Sequence, residues 1–403
     1  MTGLLRIQIG GSPCTHWSIA KSKDRETEPE GLGWELLKNY LIALRKYKPD
    51  FFLYENNKSM AVAIREQITK ELGVDPVLIN SDLVSAQSRQ RLYWVGRRNP
   101  DGTYSQVRIE QPEDRGIFLR DILESGVCWR EKAYTLDSNY YKTLGQQGFD
   151  HQSGRRKMVA EPVRIGTIEN AAKNADFDSQ QYRVYSPDGK SVTLCGQGGG
   201  VGAKTGLYAV PAGLAWRGRG ESSAYEVRGD QKANTLAATG HQSRLVIEAA
   251  DGKTYPVYEV RAGIITINGK EYPIKLADGL YIIRKLTVTE CKRLQTVPES
   301  YVFPVSDTQA YKMLGNGWTV DVIAHILAHF PGITSAPLEV MSMYDGMSCG
   351  HIALDKLGGR IVRYFATEID KYAIKTTQHN FPATIQLGDA FQVRDAGWAP
   401  WAE

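Results

Sequence analysis

Apolar strands alternate with amphipathic helices at both ends of the chain, and this pattern restricts the fold more than any other feature. Near the N terminus, a strand at Leu4–Ile9 is followed by a helix at Trp34–Tyr47 and a fully apolar strand at Phe51–Tyr54. Near the C terminus, strands are predicted at Leu338–Met343 and Ile361–Thr367, again with helices between them. Fully apolar strands joined by helices are typical of a parallel sheet that is covered on both faces. The pattern therefore predicts a doubly wound α/β fold.

The segment between these two parts has a different character, beginning at Asn99. Glycines, polar residues and short alternating strands dominate residues 99–280, which predicts a β-rich domain. A helix is expected to follow, with Thr287 as its N-cap and Glu290 at the capping-box position. Pro331–Pro337 has the composition of a linker. The predicted organisation is thus a first α/β half at 1–98, the β-rich domain at 99–280, closing helices at 281–330, a linker at 331–337 and a second α/β half at 338–403.

Composition sets wide limits on function. The chain has 403 residues, of which 42% are hydrophobic and 23% charged, and this is enough for two domains with sizeable cores. The net charge of +4 is compatible with a nucleic-acid partner, although many metabolic enzymes carry a similar charge. The N-terminal residues do not resemble a signal peptide, and the sequence has no apolar run of about 18 residues. We therefore expect a cytoplasmic protein with no membrane partner.

The five cysteines are scattered, and no two form a CxxC pair. This spacing argues against a disulfide scaffold and a cysteine zinc site, and it favours a reducing compartment. His325 and His329 lie one helical turn apart, but no third ligand is near them in the sequence. We therefore predict that the protein binds no metal.

The first loop, Gly10–Ser18, presents Cys14 directly after a strand. Two glycines, a serine and a proline end the strand and favour a tight turn at the cysteine. Such a cysteine is either a nucleophile or a small buried hydrophobic residue. Glu55 follows the next buried strand, and ligands of α/β sheets bind beyond the carboxyl ends of the strands. The pattern predicts that Cys14 and Glu55 lie close together at that edge.

The C-terminal unit has the pattern of a nucleotide-binding half. Small residues fill the turn between the strand that ends at Met343 and the following helix, which allows a ligand to approach the backbone closely. Glu368 ends the second strand, where its carboxylate can accept from ribose hydroxyls, and Asp389 ends the third, where it can accept from an adenine amine. Because the turn is not GxGxxG, the sequence favours a ligand without a pyrophosphate, such as S-adenosylmethionine, over NAD.

Six motifs are spread over both α/β parts: Pro13-Cys14; Glu55-Asn56-Asn57; Gln87-Ser88-Arg89-Gln90-Arg91; Arg284-Lys285-Leu286-Thr287 with Glu290 and Arg293-Leu294-Gln295; Gly315-Asn316; and Tyr344-Asp345-Gly346. Together they resemble the motif set of the DNA (cytosine-5) methyltransferases, and several look closest to the mammalian de novo enzymes. That family usually places its cofactor motifs first, whereas here they come last. The resemblance therefore implies a circularly permuted member. Its Rossmann-like, S-adenosylmethionine-dependent sheet would be assembled from both chain ends, with a β-rich target-recognition domain between them.

The resemblance also implies the chemistry. A methyl group would pass from S-adenosylmethionine to C5 of a cytosine flipped out of double-stranded DNA at a specific sequence, through a covalent Cys14–C6 adduct. Glu55 would hydrogen-bond N3 and the exocyclic amine, and Arg91 the O2 carbonyl. Arg89 would hold a phosphate or the catalytic loop. The segment from Thr15 to Glu30 would close behind the flipped base.

Further site residues follow from the same resemblance. The predicted cofactor-binding residues are Pro13, Asn316, Trp318, Tyr344, Asp345, Gly346, Met347, Glu368, Ile369, Asp389 and Ala390. The predicted DNA-binding residues are Ser18, Arg155, Arg156, Arg217, Arg219 and Arg244. The expected protein is a monomer, with a cognate restriction enzyme as a further potential partner. Thr15 and Gly317-Trp318 depart from the residues most usual in the family.

Three alternatives remain open on the sequence. One branch of the family acts on tRNA, which makes an RNA methyltransferase the nearest rival. Thymidylate-synthase-like enzymes also place a cysteine after proline and before a histidine, as in Pro13-Cys14-Thr15-His16. A catalytically inactive DNA-binding relative is disfavoured because Cys14, Glu55 and Arg91 are all present.

Overall fold

The computed structural model describes residues 3–13, 16–17, 25–124 and 287–397, together with strands and a few adjoining turns between 164 and 284. The first part contains β1 (Leu5–Gly10), α1 (Gly31–Tyr47), β2 (Phe51–Asn57), α2 (Val62–Leu72), β3 (Pro76–Asn80), β4 (Gln90–Arg98) and β5 (Tyr104–Gln106). The middle part contains β6 (Arg164–Thr167), β7 (Arg183–Tyr185), β8 (Leu207–Pro211), β9 (Leu214–Arg217), β10 (Ala224–Val227), β11 (Val246–Glu248), β12 (Thr254–Arg261), β13 (Ile264–Ile267), β14 (Lys270–Pro273) and β15 (Gly279–Arg284). The last part contains α3 (Val288–Leu294), α4 (Asp307–Asn316), α5 (Val320–Leu327), β16 (Pro337–Met343), α6 (Cys349–Lys356), β17 (Arg360–Thr367), α7 (Lys371–Asn380), β18 (Ile385–Gly388) and α8 (Ala390–Asp395).

One mixed sheet of eight strands joins the two ends of the chain. Its order is β18-β17-β16-β1-β2-β4-β3, with β5 paired to β4. The five strands from β18 to β2 are parallel, whereas β4 runs antiparallel to both β2 and β3. The strand β1 therefore lies between a neighbour from the N-terminal part and one from the C-terminal part. This arrangement confirms the predicted α/β fold with a sheet assembled from both chain ends.

Residues of β1 and β2 pack alternately on the two faces of the sheet. Leu53 lies in a core with Ile7 and Val340, on the face that α5 and α6 cover. Phe52 and its same-face neighbours pack in a second core, which includes residues of α1 and α2. Because both faces are buried, these strands are apolar at nearly every position, which explains why the sequence pattern predicted them.

The strand β2 is longer than its apolar run. It continues through Glu55, Asn56 and Asn57, and in the antiparallel ladder with β4 Glu55 pairs with Tyr93. The sequence placed Glu55 just after the strand, and the structure corrects this because β4 supplies partners for the polar residues. The sheet and its core also extend past residue 98, since β5 pairs with β4 and Leu119 is buried in the first core.

The closing helices begin as predicted. Thr287 is the N-cap of α3: its hydroxyl accepts from the Glu290 amide at 3.1 Å, and the Glu290 carboxylate accepts from the Thr287 amide at 2.7 Å. This reciprocal pair is a capping box. It fixes the start of the segment that carries α4 and α5 onto the first core.

The strands between 164 and 284 form two further sheets. One has the order β14-β13-β12-β15-β8-β7-β6 with β11 on β12, and the other is the antiparallel pair β9–β10. The middle segment is thus rich in short strands, in agreement with its pattern of glycines and alternating residues. In the described part of the chain, no helix is long and apolar enough to cross a membrane.

Candidate active site

The first loop and Glu55 meet where the β1–β2 ladder ends. The last parallel pair is Gly10 with Tyr54, so Gly11 and Glu55 are the next residues on each strand. A Cβ atom on Gly11 would lie 2.7 Å from the main-chain oxygen of Glu55 and 2.9 Å from its Oε2. Only glycine allows this approach, and the loop is therefore packed directly on the carboxylate.

Ser12, the loop residue after Gly11, is hydrogen-bonded to residues of β2. The hydroxyls of Ser12 and Tyr54 lie 2.6 Å apart, and the Asn56 amide donates to the Ser12 carbonyl at 3.1 Å. All three side chains are buried. Burial also raises the pKa of Tyr54 well above its ordinary value, so its phenol stays neutral. Asn56 thus braces the loop, while Pro13 is exposed.

The chain is anchored again downstream of the loop. Glu26 accepts from the buried Trp17 indole at 3.0 Å and from the Gly33 amide at 3.1 Å, and it pairs with His16 at 3.3 Å. Arg25 donates to the Ser59 carbonyl at 2.6 Å. Cys14 and Ser18, which the sequence placed in the site, lie outside the described residues, as does Thr15.

The carboxylate of Glu55 has a partner on each oxygen. Arg91 Nε lies 3.1 Å from Oε1, and the indole Nε1 of Trp318 donates to Oε2 at 2.9 Å. Glu55 is only 9% exposed, so these contacts replace most of its hydration. Two N–H donors, one on each oxygen, fix the plane of the carboxylate. Each oxygen keeps a second lone-pair direction for another donor.

The structure gives Arg89 and Trp318 contacts that the sequence did not suggest. Arg89 is 6% exposed and donates to the carbonyls of Gly315 and Gly317, both at 3.1 Å. These contacts join the residue just before β4 to the turn between α4 and α5. Trp318 lies in that turn, and its indole donates to Glu55. No sequence signal indicates this contact, because the two residues are 263 positions apart.

A second group of side chains follows β16 and β17 at the same edge of the sheet. Glu368 Oε2 accepts from the Gly346 amide at 2.8 Å, while Oε1 accepts from the amides of Ile369 at 2.7 Å and Asp370 at 2.8 Å. These bonds hold the turn after β16 against the end of β17. A carboxylate has about four lone-pair sites, and three are used here, so one direction on Oε2 remains for a further donor.

Asp345 is a half-buried carboxyl within this turn. The Tyr364 hydroxyl donates to its Oδ1 at 2.9 Å, and the Ser348 hydroxyl to its other oxygen. Burial raises the pKa of Asp345 from 3.8 to about 6, and the charge of Glu368 acts in the same direction. Met347 is buried beneath the turn, and its carbonyl accepts from Tyr301 at 2.7 Å.

The remaining predicted cofactor residues lie around this turn. Asp389 follows β18 and accepts from the Phe391 amide at 2.9 Å as the N-cap of α8, which begins at the buried Ala390. Ile369 is 75% exposed beside Glu368, an unusual exposure for a large aliphatic side chain. The half-buried Tyr344 donates to the Leu36 carbonyl at 2.7 Å. Asn316 is exposed at the end of α4.

The predicted DNA-binding arginines are only partly covered by the structure. Arg217 ends β9 and pairs with Ala224 of β10 in an antiparallel ladder. Arg155, Arg156, Arg219 and Arg244 lie outside the described residues. Among the residues that the structure describes, no cluster of three histidine, cysteine, aspartate or glutamate side chains could hold a metal ion.

Two polar clusters lie at one edge of a mixed α/β sheet, the position at which α/β proteins bind their ligands. Comparisons with known proteins identify the family. A profile of the C-5 cytosine-specific DNA methylase family matches residues 6–330. The orphan methyltransferase M.SPRI of Bacillus phage SPR is 24% identical, covering 79% of this chain and 81% of that protein. The type II methyltransferase M.FnuDI of Fusobacterium nucleatum is 25% identical, covering 79% of this chain and 74% of that protein. Among solved structures, the Entamoeba histolytica methyltransferase EhMeth matches at a TM-score of 0.39 and 13% identity, covering 80% of this chain and 76% of that one.

The chain belongs to the C-5 cytosine-specific DNA methylase family, because the family profile matches well over half of its length. It is a DNA (cytosine-5) methyltransferase, and S-adenosylmethionine is its methyl donor. This membership confirms the predicted family, activity and cofactor, and it favours DNA over the tRNA and free-nucleotide alternatives. The circular permutation and the closer likeness to mammalian de novo enzymes stay predictions.

Proposed function

We propose that the protein methylates a cytosine flipped out of double-stranded DNA, with Cys14 as the nucleophile. The observation that supports this most is the contact between Gly11 and Glu55. It places the loop leading to Cys14 directly on a buried carboxylate that Arg91 and Trp318 hold. A nucleophile and an acid–base group on adjoining strands are what addition to a cytosine ring requires.

The residues divide the reaction between them. The Cys14 sulfur adds to C6 of the cytosine, which moves electron density onto C5 and makes that carbon nucleophilic. S-adenosylmethionine, when bound, supplies an electrophilic methyl group. Glu55, as a carboxylic acid, gives its proton to N3 and accepts from the exocyclic amine, which favours the addition, while Arg91 donates to O2. Once C5 carries the methyl group, loss of the C5 proton to a base and departure of the sulfur restore the double bond.

The C-terminal cluster has the donor and acceptor set that S-adenosylmethionine needs. A methyl group built on Gly346, at φ +58°, would meet no other atom within 4 Å, so the face of this turn is open. Glu368 has one acceptor direction left for a ribose hydroxyl, and Asp389 is an acceptor for the adenine amine. The exposed Ile369 offers an apolar surface for a purine ring. We propose that these residues bind the cofactor, together with Pro13, Asn316, Tyr344, Asp345, Met347 and Ala390.

The proposed DNA interface comprises the β-rich middle domain and the first loop. Its basic residues suit a surface that follows phosphates and reaches base edges. We assign this role to Ser18, Arg155, Arg156, Arg217, Arg219 and Arg244. The protein would act as a monomer in the cytoplasm of a bacterial host, and the type II names of its relatives support a role beside a restriction enzyme.

Circular permutation is proposed from the order of the elements. The family profile ends at residue 330, whereas β16, β17 and β18 lie beyond it and complete the sheet next to β1. In the usual family order, the cofactor half precedes the cysteine loop. In this chain the same sheet would form with the strand before the cysteine loop, β1, as its first strand and the cofactor half as its last.

One assay tests the proposed function. Purified protein is incubated with tritiated S-adenosylmethionine and either duplex DNA, tRNA or dUMP. We expect label in DNA, and with Cys14→Ser we expect no label and no covalent complex on DNA containing 5-fluorocytosine. S-adenosylhomocysteine should still bind that variant, which is the control for folding. Transfer to tRNA or dUMP alone, or full activity of the serine variant, would refute the proposal.

A further inference from the structure

The indole of Trp318 lies between the base-binding and cofactor-binding parts of the proposed site. Its Nε1 donates to Glu55 Oε2 at 2.9 Å. The residue before it, Gly317, has a main chain that packs on the cofactor half: a Cβ there would lie 3.2 Å from Cys349 Sγ and 3.4 Å from Met347 Sδ. Both sulfur-bearing side chains belong to the turn and helix that follow β16.

The main chain beside Trp318 is fixed on several sides. The Gly317 carbonyl accepts from Arg89 at 3.1 Å and from Gln295 at 3.2 Å, and its amide donates to Met313 at 2.7 Å. Arg89 and Gln295 are both buried. An indole carried on so constrained a turn has few alternative positions, so its hydrogen bond to Glu55 costs little entropy.

Glu55 is held at two points that come from different parts of the chain. Arg91 on β4 fixes Oε1, and Trp318 after α4 fixes Oε2. A carboxylate bonded on one oxygen can still rotate about its last bond, whereas bonds to both oxygens fix its plane. The remaining lone pairs then keep one orientation toward any base that enters beside Gly11.

We propose that Trp318 is a positioning residue for Glu55, and that its N–H orients the carboxylate that receives the target cytosine. This inference rests on the proposed role of Glu55. It gives the side chain of Trp318 a different role from the cofactor binding predicted from the sequence, in which the ring would cover the cofactor. Gly317 packs on the turn and helix that follow β16, and Trp318 contacts Glu55. A shift of the turn after β16 would therefore also move the carboxylate.

The test compares Trp318→Phe, which keeps a ring but removes the N–H, with the wild type. We expect kcat to fall about 10- to 100-fold, as for a lost hydrogen bond to a charged group, with the KM for DNA and the Kd of S-adenosylhomocysteine changed less than about threefold. In a Glu55→Gln background the same substitution should have no further effect on kcat, because the carboxylate it orients is gone.

Three results would overturn the inference. The first is a weaker Kd for S-adenosylhomocysteine with kcat unchanged at saturation, which would make Trp318 a cofactor cover. The second is an equal loss of kcat in the Glu55→Gln background. If Trp318→Phe does not fold, Trp318→His is used instead, because it keeps a ring N–H. The third overturning result is a kcat for Trp318→His as low as that of Glu55→Gln. Failure of the proposed function itself is distinct, because the wild type would then transfer no methyl group to DNA.

Discussion

Gly11 is the residue on which the contact between the first loop and Glu55 depends. A methyl group at this position would lie 2.7 Å from a main-chain oxygen, and main chain within a central strand does not move aside easily. We therefore expect Gly11→Ala to lower the rate of DNA methylation at least 10-fold, because the loop must leave the carboxylate. Gly3→Ala is the matched control, since a Cβ there meets nothing within 4 Å. Equal rates for the two variants in the tritium assay would contradict this account.

Arg89 makes a structural contribution that can be measured apart from catalysis. Its guanidinium satisfies two main-chain carbonyls, and Arg89→Met would fill the space while removing both bonds. We expect a loss of about 1–3 kcal/mol in the free energy of unfolding, the usual cost of leaving buried polar groups without a partner. Urea denaturation measures this loss, with the exposed Arg108→Met as control. A urea midpoint equal to that of Arg108→Met would contradict this structural role and favour a role for Arg89 in substrate binding.

At the scale of elements, α6 and the turn before it carry two groups whose protonation affects folding in opposite directions. Burial raises the pKa of Asp345 from 3.8 to about 6, so its contribution to stability is lost as the pH rises through about 6. Burial lowers the pKa of His351 from 6.5 to about 4, so its contribution is lost as the pH falls toward 4. Tyr364 joins the two: its ring stacks on His351 at 4.6 Å and its hydroxyl bonds Asp345.

Single substitutions should separate these two contributions. In Asp345→Asn only the histidine of the pair remains. As the pH is lowered from 6.5 to 4, the free energy of unfolding should therefore fall more steeply than in the wild type. In His351→Phe, which retains an aromatic ring against Phe381, only the aspartate remains and the slope should change in the opposite direction. Each pKa unit is worth about 1.4 kcal/mol. Urea midpoints across this pH range check both slopes, and parallel curves for all three proteins would contradict the assignment.

The sequence predicted elements well where one local pattern decides them. The capping box at Thr287 and the αL residue Gly73 that closes α2 are local signals, and both elements begin or end where expected. The length of β2 could not be predicted from its local sequence, because its polar end is stabilised by pairing with β4, more than 30 residues later in the chain. The turn at Gly31, with φ +81°, likewise starts α1 earlier than its apolar residues suggested.

At the scale of the whole molecule, family motifs predicted which side chains matter better than how they contact one another. Glu55, Arg91 and the first loop lie together as expected, because parallel neighbouring strands bring their carboxyl ends to one edge. The contacts of Arg89 and Trp318 depend on the α4–α5 turn, which docks on the sheet from more than 200 residues away. Packing of this kind has no signature in a single sequence.

The last strands should be indispensable even though the family profile ends before them. β1 pairs with β16 over six residues, and Arg6 Nε lies 3.1 Å from Glu339 Oε1 across that ladder. A chain ending at Phe330 would leave β1 at the sheet edge and expose apolar positions of the core that Leu338 and Val340 fill. We expect this fragment to lose both its cooperative unfolding transition and DNA methylation. Co-expression of 331–403 should restore both, since the ladder needs no covalent link, and Cys14→Ser in the full chain controls for inactive but folded protein. Methylation by the fragment alone would show that the sheet does not need its C-terminal strands.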